Sequence, residues 1–415
     1  MLETLISILP FRMISLFDLG GFSFKLVDAI TIIIGLYLFF KVITKKIDYK
    51  FDKIDILLII YLIYSGLNPF IAEDRILAFA DLYRLIVSAL SYFSLVVLIK
   101  SRNDFKREII RLYKIMLYSS IPTIVYSIFI FIVKGIPEIQ IFGAQAINSF
   151  NVRFSGLYPD PNSYGIYLVM CLIILVELYK IKAINKNMFM RFGIALIATL
   201  ILTFSRSAII MIGIYILFLI NLDGKSRKLQ ITIISASVSL LLGIMIINPF
   251  NIRASIIERI SNTITVDTEN DWAIKSRMIY YGLSFSAFKE YPITGVGRGN
   301  FYTYGIQNYE DLPEDANPQG LVFQVISELG LIGLIILIII FAKLIREIFL
   351  KIKKCDKDEI GLLSIALSFL TTYLVGSVFG TFDSTRELWY ILAFASVSIS
   401  RISTNVDNNK NISEI

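Results

Sequence analysis

Histidine is absent from this chain of 415 residues, and cysteine occurs only twice, at Cys171 and Cys355. Without an imidazole, the chain cannot use a histidine general base, a histidine-containing catalytic triad or an imidazole metal site. Two cysteines, one in an apolar run and one in a lysine-rich stretch, cannot form a thiolate metal centre. No cluster of acidic residues predicts a metal cage, so we expect a mechanism without metal or cofactor.

Charged residues are also scarce. They make up 18% of the sequence and hydrophobic residues make up 56%, whereas an average soluble domain is about 25% charged. The mean hydropathy of +0.71 excludes a soluble globular protein, because no soluble core absorbs so much apolar surface. The net charge of +7 is compatible with nucleic acid, but most lysines and arginines lie in short segments between apolar runs. That distribution predicts membrane orientation and no nucleic-acid partner.

Long apolar runs predict the membrane crossings, because a helix needs about 20 apolar residues to span a bilayer. Nine runs qualify: 26–43, 54–71, 79–99, 112–134, 163–181, 229–248, 319–343, 359–378 and 387–402. A further run, 189–221, is interrupted by Ser205-Arg206-Ser207. The basic segments on both sides of it should be cytoplasmic, so we predict a hairpin with Arg206 near its outer tip. Each leg has about 15 residues, or about 23 Å, which predicts a tip sunk below the outer surface.

Eleven spans follow, and residues 2–19 would add a twelfth; we expect twelve, with both ends of the chain in the cytoplasm. The predicted organisation is a first part of the transmembrane bundle, an external loop, a second part of the bundle and a cytoplasmic tail, at 1–248, 249–318, 319–404 and 405–415. Within the loop, Ser276–Glu290 has apolar residues at helical spacing, which predicts an amphipathic helix on the outer face or folded into the bundle.

Four arginines stand out on the predicted external side: Arg153, Arg206, Arg277 and Arg298. An arginine inside a bilayer costs about 2.5–3.5 kcal/mol on insertion scales, so its burial requires a reason. Snorkelling to lipid headgroups is one reason. Arg206 is the only charge between residues 192 and 220 and is too deep to snorkel easily, which favours a functional role.

The segment from Arg153 to Asn162 suggests an anion site. Pro159 and Pro161 favour an extended chain, and Asn162 is a good N-cap for the span that follows. A guanidinium beside the positive end of a helix would suit phosphate. A capped helix with a surface arginine is the alternative.

The glycine-rich sequence Gly295-Val-Gly-Arg-Gly299 resembles a nucleotide loop only superficially, because its spacing is not GxGxxG and no strand precedes it. We interpret it as a tight turn that leads back to the membrane. Among acidic residues, Asp160 and Glu328 are the candidates for a carboxylate in a cavity, although neither has a spacing that identifies a general base.

Four motifs occur together in the chain: Arg153…Gly156…Pro159-Asp-Pro-Asn162, Thr203-Phe-Ser-Arg206-Ser, Arg277 followed by Pro292-Ile-Thr-Gly-Val-Gly297…Phe301, and Gln324…Glu328-Leu-Gly-Leu-Ile-Gly333. In this order, they resemble the O-antigen ligase and polymerase superfamily. Its members are polytopic glycosyltransferases with a large external loop, which act on undecaprenyl-diphosphate-linked sugars. The similarity covers roughly residues 150–335.

The resemblance implies an all-α, GT-C-like polytopic membrane fold and a metal-independent, inverting sugar transfer on the outer face of the cytoplasmic membrane. Arg206 and Arg277 match the basic residues that the family uses in catalysis. The residues implied in substrate binding are Arg153, Asp160, Asn162, Arg298, Gln319 and Glu328. Gln319-Gly320 stands where ligases carry a His-Asn pair, which favours a polymerase over a lipid A-core ligase.

The implied partners are undecaprenyl-diphosphate-linked oligosaccharides and the lipid bilayer, with a flippase and a chain-length regulator as candidate protein partners. Three alternatives stay open at this point: a ligase that transfers finished glycan to a lipid or protein acceptor, a polysaccharide transporter or flippase, and a scaffold without chemistry. A transporter would favour repeated halves with binding at mid-membrane, and we find no repeat in the sequence.

Overall fold

Helices account for most of the computed structural model, which describes residues 1–19, 22–133, 144–146, 152–222, 272–309, 312–313, 316–355, 357–377 and 383–401. The described helices are α1 Leu2–Ile8, α2 Leu26–Ile43, α3 Lys53–Leu67, α4 Arg75–Lys100, α5 Phe105–Val133, α6 Pro161–Lys180, α7 Lys186–Leu202, α8 Arg206–Leu222, α9 Trp272–Glu290, α10 Phe301–Asn308, α11 Leu321–Gln324, α12 Gly330–Ile352, α13 Lys357–Gly376 and α14 Arg386–Arg401. A one-turn π-helix, Val325–Leu329, joins α11 to α12.

Within these ranges, seven helical segments are long and apolar enough to cross a membrane: Leu26–Ile43, Lys53–Phe70, Arg75–Lys100, Phe105–Ile130, Pro161–Lys180, Leu321–Ile352 and Glu359–Gly376. Each coincides with a predicted run, so the prediction of an all-α polytopic membrane protein is confirmed. The two predicted hairpin legs and the last predicted run are helices of 17, 17 and 16 residues, α7, α8 and α14. The predicted span 229–248 and the tail 405–415 lie outside the described residues.

The predicted twelfth span at residues 2–19 is wrong. Helix α1 has only seven residues, about 10 Å of helix, and it ends before Pro10. The following residues form strand β1, Ser15–Leu19, which pairs antiparallel with β2, Phe22–Lys25. A second short antiparallel pair, β3 Ala144–Ala146 and β4 Val152–Phe154, was also not predicted.

The chain divides into two compact units. The first consists of Met1–Leu9, Ser15–Tyr113 and Ile279–Ile415, and the second of Pro10–Ile14 and Lys114–Met278. This division runs through α5 and α9.

In the first unit, α3 and α4 form an antiparallel pair whose ends are fixed by local side chains. Asp52 caps α3 by accepting hydrogen bonds from the backbone N–H groups of Ile54 and Asp55, and Asp55 completes a capping box. At the same end, Lys100, the last residue of α4, forms a 2.8 Å ion pair with Asp52. The connection between the two helices, residues 68–74, therefore lies at the opposite end.

The helix predicted at Ser276–Glu290 lies within α9. It is not amphipathic as predicted, because the apolar residues Met278 and Phe285 lie exposed on the face opposite the buried one. Its residues Tyr280, Leu283 and Ala287 recur at helical spacing and are buried. In the first unit, Tyr280 and Leu283 pack in one buried cluster with Phe301, at the start of α10. Helix α10 and the turn that precedes it are thereby fixed against α9.

Candidate functional site

In the second unit, two of the recognised motifs come into direct contact. Arg153, on β4, donates from Nε to the carbonyl oxygen of Thr203 (3.1 Å) and from Nη2 to the side-chain oxygen of Asn162 (2.9 Å). The hydroxyl of Ser205 donates to the same Asn162 oxygen at 3.1 Å. One amide oxygen thus joins the β4 arginine, the start of α6 and the turn between α7 and α8. We call Arg153, Asn162, Thr203 and Ser205 the arginine–amide cluster.

The start of α6 differs from the predicted one, because Asp160 and not Asn162 is the N-cap. The carboxylate of Asp160 accepts from the backbone N–H groups of Asn162 and Ser163, both at 2.9 Å, and from the Ser163 hydroxyl. Pro161 occupies the first helical position, where its fixed φ fits and its missing N–H is not needed. The first free amides of α6 are therefore held by a carboxylate of the chain itself, and the expected phosphate site at this helix end is not supported.

The turn between α7 and α8 positions Arg206 at the first residue of α8. Phe204 adopts a left-handed φ of +49° in this turn, which non-glycine residues seldom adopt. The Ser205 hydroxyl then accepts from the backbone N–H of Ala208 at 3.3 Å, as an N-cap does. Arg206 is half-buried and follows directly after the cluster residue Ser205.

Close packing between α6 and α8 keeps this turn beside the start of α6. A Cβ atom added to Gly165 of α6 would lie 2.9 Å from the Ala208 Cβ and 3.1 Å from the Ser205 Cβ. A larger residue at 165 would push α8 away. Arg277, the other predicted catalytic arginine, lies half-buried on the part of α9 that belongs to this same unit.

Arg298 belongs to the first unit and has a structural role that differs from the predicted one. It is fully buried and makes a bidentate contact with Asp383, at 2.9 and 2.7 Å, and a 2.9 Å ion pair with Asp81. Burial alone would lower the pKa of Arg298, but the two carboxylates outweigh it and raise the pKa well above the ordinary value. The charge of Arg298 is therefore balanced by carboxylates of the chain itself, which favours a structural role.

The other two predicted residues of the first unit also lie in local hydrogen-bond networks. Glu328, in the π-helix, is buried and accepts from the Gln324 amide at 3.2 Å, while Gln324 accepts from the backbone N–H of Asp383. Gln319 is half-buried and donates to Asn317 at 3.1 Å. Glu328 thus belongs to the buried network around Asp383.

Sequence reasoning missed the acidic partners of Arg298 and also Tyr61, whose hydroxyl donates to Asp383 at 2.5 Å. Asp81 had a readable signal, because a carboxylate inside the apolar run 79–99 requires a partner. Asp383 had none, since it lies in a polar connection between two predicted spans.

The glycine-rich sequence forms the predicted turn. Gly295, Gly297 and Gly299 have φ values of +71°, +101° and +67°, a region that favours glycine. Backbone hydrogen bonds from Val296 to Ser327 (2.9 Å) and from Leu331 to Pro292 (2.8 Å) tie the turn to the π-helix and the start of α12. We call residues 292–299 the glycine turn.

Replacing Gly295 by alanine should destabilise the protein by at least about 1–2 kcal/mol, because the residue would be strained at positive φ. Its Cβ would in addition lie 2.3 Å from the carbonyl carbon of Glu328, where backbone must move. Gly282→Ala is the matched control, since a Cβ there meets nothing within 4 Å. Thermal unfolding in detergent measures both variants, and equal midpoints would contradict the packing described for the glycine turn.

Together, these features define a polytopic helical membrane protein with a cluster of arginine and amide side chains at its helix ends. Residues 192–338 match the family model described as O-antigen ligase, a segment that includes Arg206, Arg277, the glycine turn and Glu328. The resemblance to the O-antigen ligase and polymerase superfamily, whose members are glycosyltransferase-like enzymes, is thereby confirmed. A search of curated proteins found no match.

Proposed function

We propose that this protein is a polysaccharide polymerase that joins undecaprenyl-diphosphate-linked oligosaccharide repeat units on the outer face of the cytoplasmic membrane. The observation that carries the proposal is the arginine–amide cluster, which fixes the turn before Arg206 against the Asp-Pro-Asn segment. Two motifs separated by about forty residues are joined through one amide oxygen. Such a contact positions an arginine more accurately than a loop alone.

The chemistry requires stabilisation of a leaving diphosphate. A hydroxyl of the incoming unit attacks the anomeric carbon of the growing chain, the bond between that carbon and the diphosphate oxygen breaks, and undecaprenyl diphosphate departs. The hydroxyl proton passes to the departing phosphate. Guanidinium groups suit this step because they bind phosphate oxygens in a bidentate manner and stay protonated.

The side chains take different parts in this proposal. Arg206 and Arg277 bind the diphosphate and stabilise its developing charge, and Arg153 supports Arg206 through the cluster. Asp160 and Asn162 position the start of α6 and the turn, and their contacts lie within the protein. Gln319 and Glu328, in the first unit, are proposed as substrate-binding residues, and no metal is required.

The proposed orientation rests on the distribution of basic residues. The basic segments on both sides of α7 and α8, 180–191 and 222–228, are placed in the cytoplasm by the positive-inside rule. The turn before Arg206 then faces the outside, where lipid-linked repeat units would be supplied by a flippase and their number set by a chain-length regulator.

A ligase that transfers finished glycan to a lipid or protein acceptor is the second candidate. The match to a family model described as O-antigen ligase favours it. The absence of histidine argues against transfer to lipid A-core. Gln319-Gly320 stands where the ligases of this superfamily carry a His-Asn pair. A protein acceptor is compatible with that absence.

Deletion of the gene, followed by sizing of the surface polysaccharide on a gel, separates these functions. For a polymerase we expect loss of the ladder with single repeat units still attached to the cell, restored by the wild-type gene. A ladder that persists but is not attached to its acceptor would identify a ligase instead. An unchanged, attached ladder would contradict both.

A further inference from the structure

A cavity of about 290 Å³ opens in the first unit between the α3–α4 connection and the glycine turn. Its walls include Glu73 from the connection, Tyr291 and Thr294 from the glycine-turn side, and Tyr304 and Gln307 from α10. The volume lies just below the range of about 300–1,000 Å³ that is usual for small-molecule sites. It suits one sugar ring and not an oligosaccharide.

The cavity lies at a defined end of the bundle. Asp52 and Lys100 meet at one end of the α3–α4 pair, next to the basic segment 45–53. Glu73 lies in the connection at the opposite end. The positive-inside rule that puts the basic segment in the cytoplasm therefore puts the cavity on the outer side, where lipid-linked sugars are used.

Aromatic rings provide the apolar surface of the cavity. The rings of Tyr291 and Tyr304 lie edge to face, with centroids 6.5 Å apart. Tyr304 is buried, whereas Tyr291 remains 45% exposed. A tyrosine with an accessible ring and a polar hydroxyl matches a sugar, which has an apolar C–H face and a hydroxylated edge.

The polar groups of the cavity are mainly hydrogen-bond acceptors. The Gln307 amide nitrogen donates to both oxygens of Glu73, at 2.8 and 3.0 Å, which turns its own amide oxygen away from that carboxylate. The Tyr304 hydroxyl donates to Glu290 at 3.1 Å. Carboxylate, amide and hydroxyl oxygens with lone pairs left over call for a ligand that donates several hydrogen bonds, as sugar hydroxyls do.

The charge of the cavity disfavours the binding of acidic sugars. None of its nine lining residues is basic, and Glu73 contributes a carboxylate to the wall. The nearby guanidinium of Arg298 is buried and paired with Asp383 and Asp81. A sugar acid would therefore be repelled.

The inner wall is preorganised. Asn300 is almost fully buried, and its amide nitrogen donates to the carbonyl oxygens of Asp74 (2.9 Å) and Arg298 (3.0 Å). Its side-chain oxygen accepts from the backbone N–H of Asp74 at 2.6 Å. These bonds tie the end of the glycine turn to the α3–α4 connection, so binding needs little ordering of the wall.

We propose that this cavity is a sugar subsite, which binds one uncharged or amino-substituted sugar ring of the glycan against Tyr291, Glu73 and Gln307. The proposal names a substrate-binding site for the polymerase and to that extent rests on the proposed function. The site is separate in the chain from the arginine–amide cluster, so the two can be tested independently.

Saturation-transfer NMR on the full-length protein in detergent tests the subsite, with the methyl glycosides of glucose, galactose, N-acetylglucosamine, glucosamine and glucuronic acid as probes. We expect a signal from at least one uncharged or amino glycoside and none from the glucuronide. Tyr291→Ala should weaken the signal about fivefold, the effect of losing one aromatic contact. Tyr309→Ala, which removes an exposed tyrosine outside the cavity, should leave it unchanged.

Two further variants keep the test decisive if Tyr291→Ala does not fold. Gln307→Ala should also weaken the signal, and Glu73→Gln should weaken glucosamine binding more than glucose binding, because only the former carries a positive charge. Equal signals in the wild type, Tyr291→Ala and Gln307→Ala, or a stronger signal from the glucuronide, would overturn the subsite.

Failure of the subsite and failure of the proposed function give different results. No glycoside signal in the wild type, together with loss of polymer in Arg206→Ala cells, would overturn the subsite alone. A signal that depends on Tyr291, together with a normal polymer in Arg206→Ala cells, would leave the subsite and overturn the polymerase assignment of Arg206.

Discussion

Replacing Arg206 by alanine should reduce chain elongation by about 100–1,000-fold, while the protein remains inserted and folded. This is the usual cost of removing one preorganised donor that stabilises charge in a transition state. Arg206 is half-buried at the first residue of α8, directly after a serine that is held by Asn162. Loss of its guanidinium therefore removes a positive charge next to the arginine–amide cluster.

The measurement is the length distribution of surface polysaccharide in a deletion strain that carries each variant. Arg191→Ala is the matched control, because it removes an exposed arginine near the start of α7 in the same unit. Arg206→Lys should restore little, since an ammonium cannot bind two phosphate oxygens in the same plane. Normal-length polymer from Arg206→Ala would contradict the role given to this arginine.

Replacing Arg298 by alanine should impair folding, whereas the Arg206 replacement impairs chain elongation. We expect the free energy of unfolding to fall by about 3–5 kcal/mol, because the change leaves buried carboxylates without their cation. The guanidinium is fully buried between Asp383 and Asp81, and Tyr61 donates to the same Asp383. Asp383→Asn should also destabilise the protein, since it weakens the bidentate contact.

Thermal unfolding and protease resistance in detergent measure this effect. Arg84→Ala is the control, because Arg84 is 54% exposed and contacts Asp81 only at 4.0 Å, and exposed pairs contribute about 0–1 kcal/mol. If Arg298→Ala unfolds at the same temperature as Arg84→Ala, the buried ion pair does not stabilise the first unit. A stable Arg298→Ala protein without polymer would instead restore the role in substrate binding that the sequence predicts.

The membrane helices could be predicted because every apolar residue adds to the total hydropathy of its run. A run such as 163–181 contains enough apolar residues to be recognised whatever it packs against, and α6 lies within two residues of that run at its start. The apolar content of residues 2–19 did not predict their structure correctly. Their apolar residues have almost the length of a span, but Pro10 ends the first helix and the rest pairs as strands.

The site was predictable only in part, because side-chain partners are set by tertiary contacts. The motifs around Arg153 and Ser205 could be found in the sequence, but not the amide oxygen that both contact. Asp160 and Asn162 are both residues that favour the N-cap position. Asp160 takes it because Pro161 occupies the first position of the helix. The surroundings of Arg298 were not predictable, because nothing in the sequence indicates that Asp383 lies beside it.

The glycine turn and the first residues of α12 are joined through their backbones. A Cβ on Gly295 would lie 2.3 Å from the carbonyl carbon of Glu328, and a Cβ on Gly330 would lie 2.5 Å from the carbonyl oxygen of Ile293. Four backbone hydrogen bonds run between residues 292–297 and 327–332. A ring seated against Tyr291 and Thr294 would therefore restrain one of the longest bilayer-crossing helices as well as the loop. A sugar bound at the surface would in this way be linked, through hydrogen-bonded backbone, to a helix long enough to cross the bilayer.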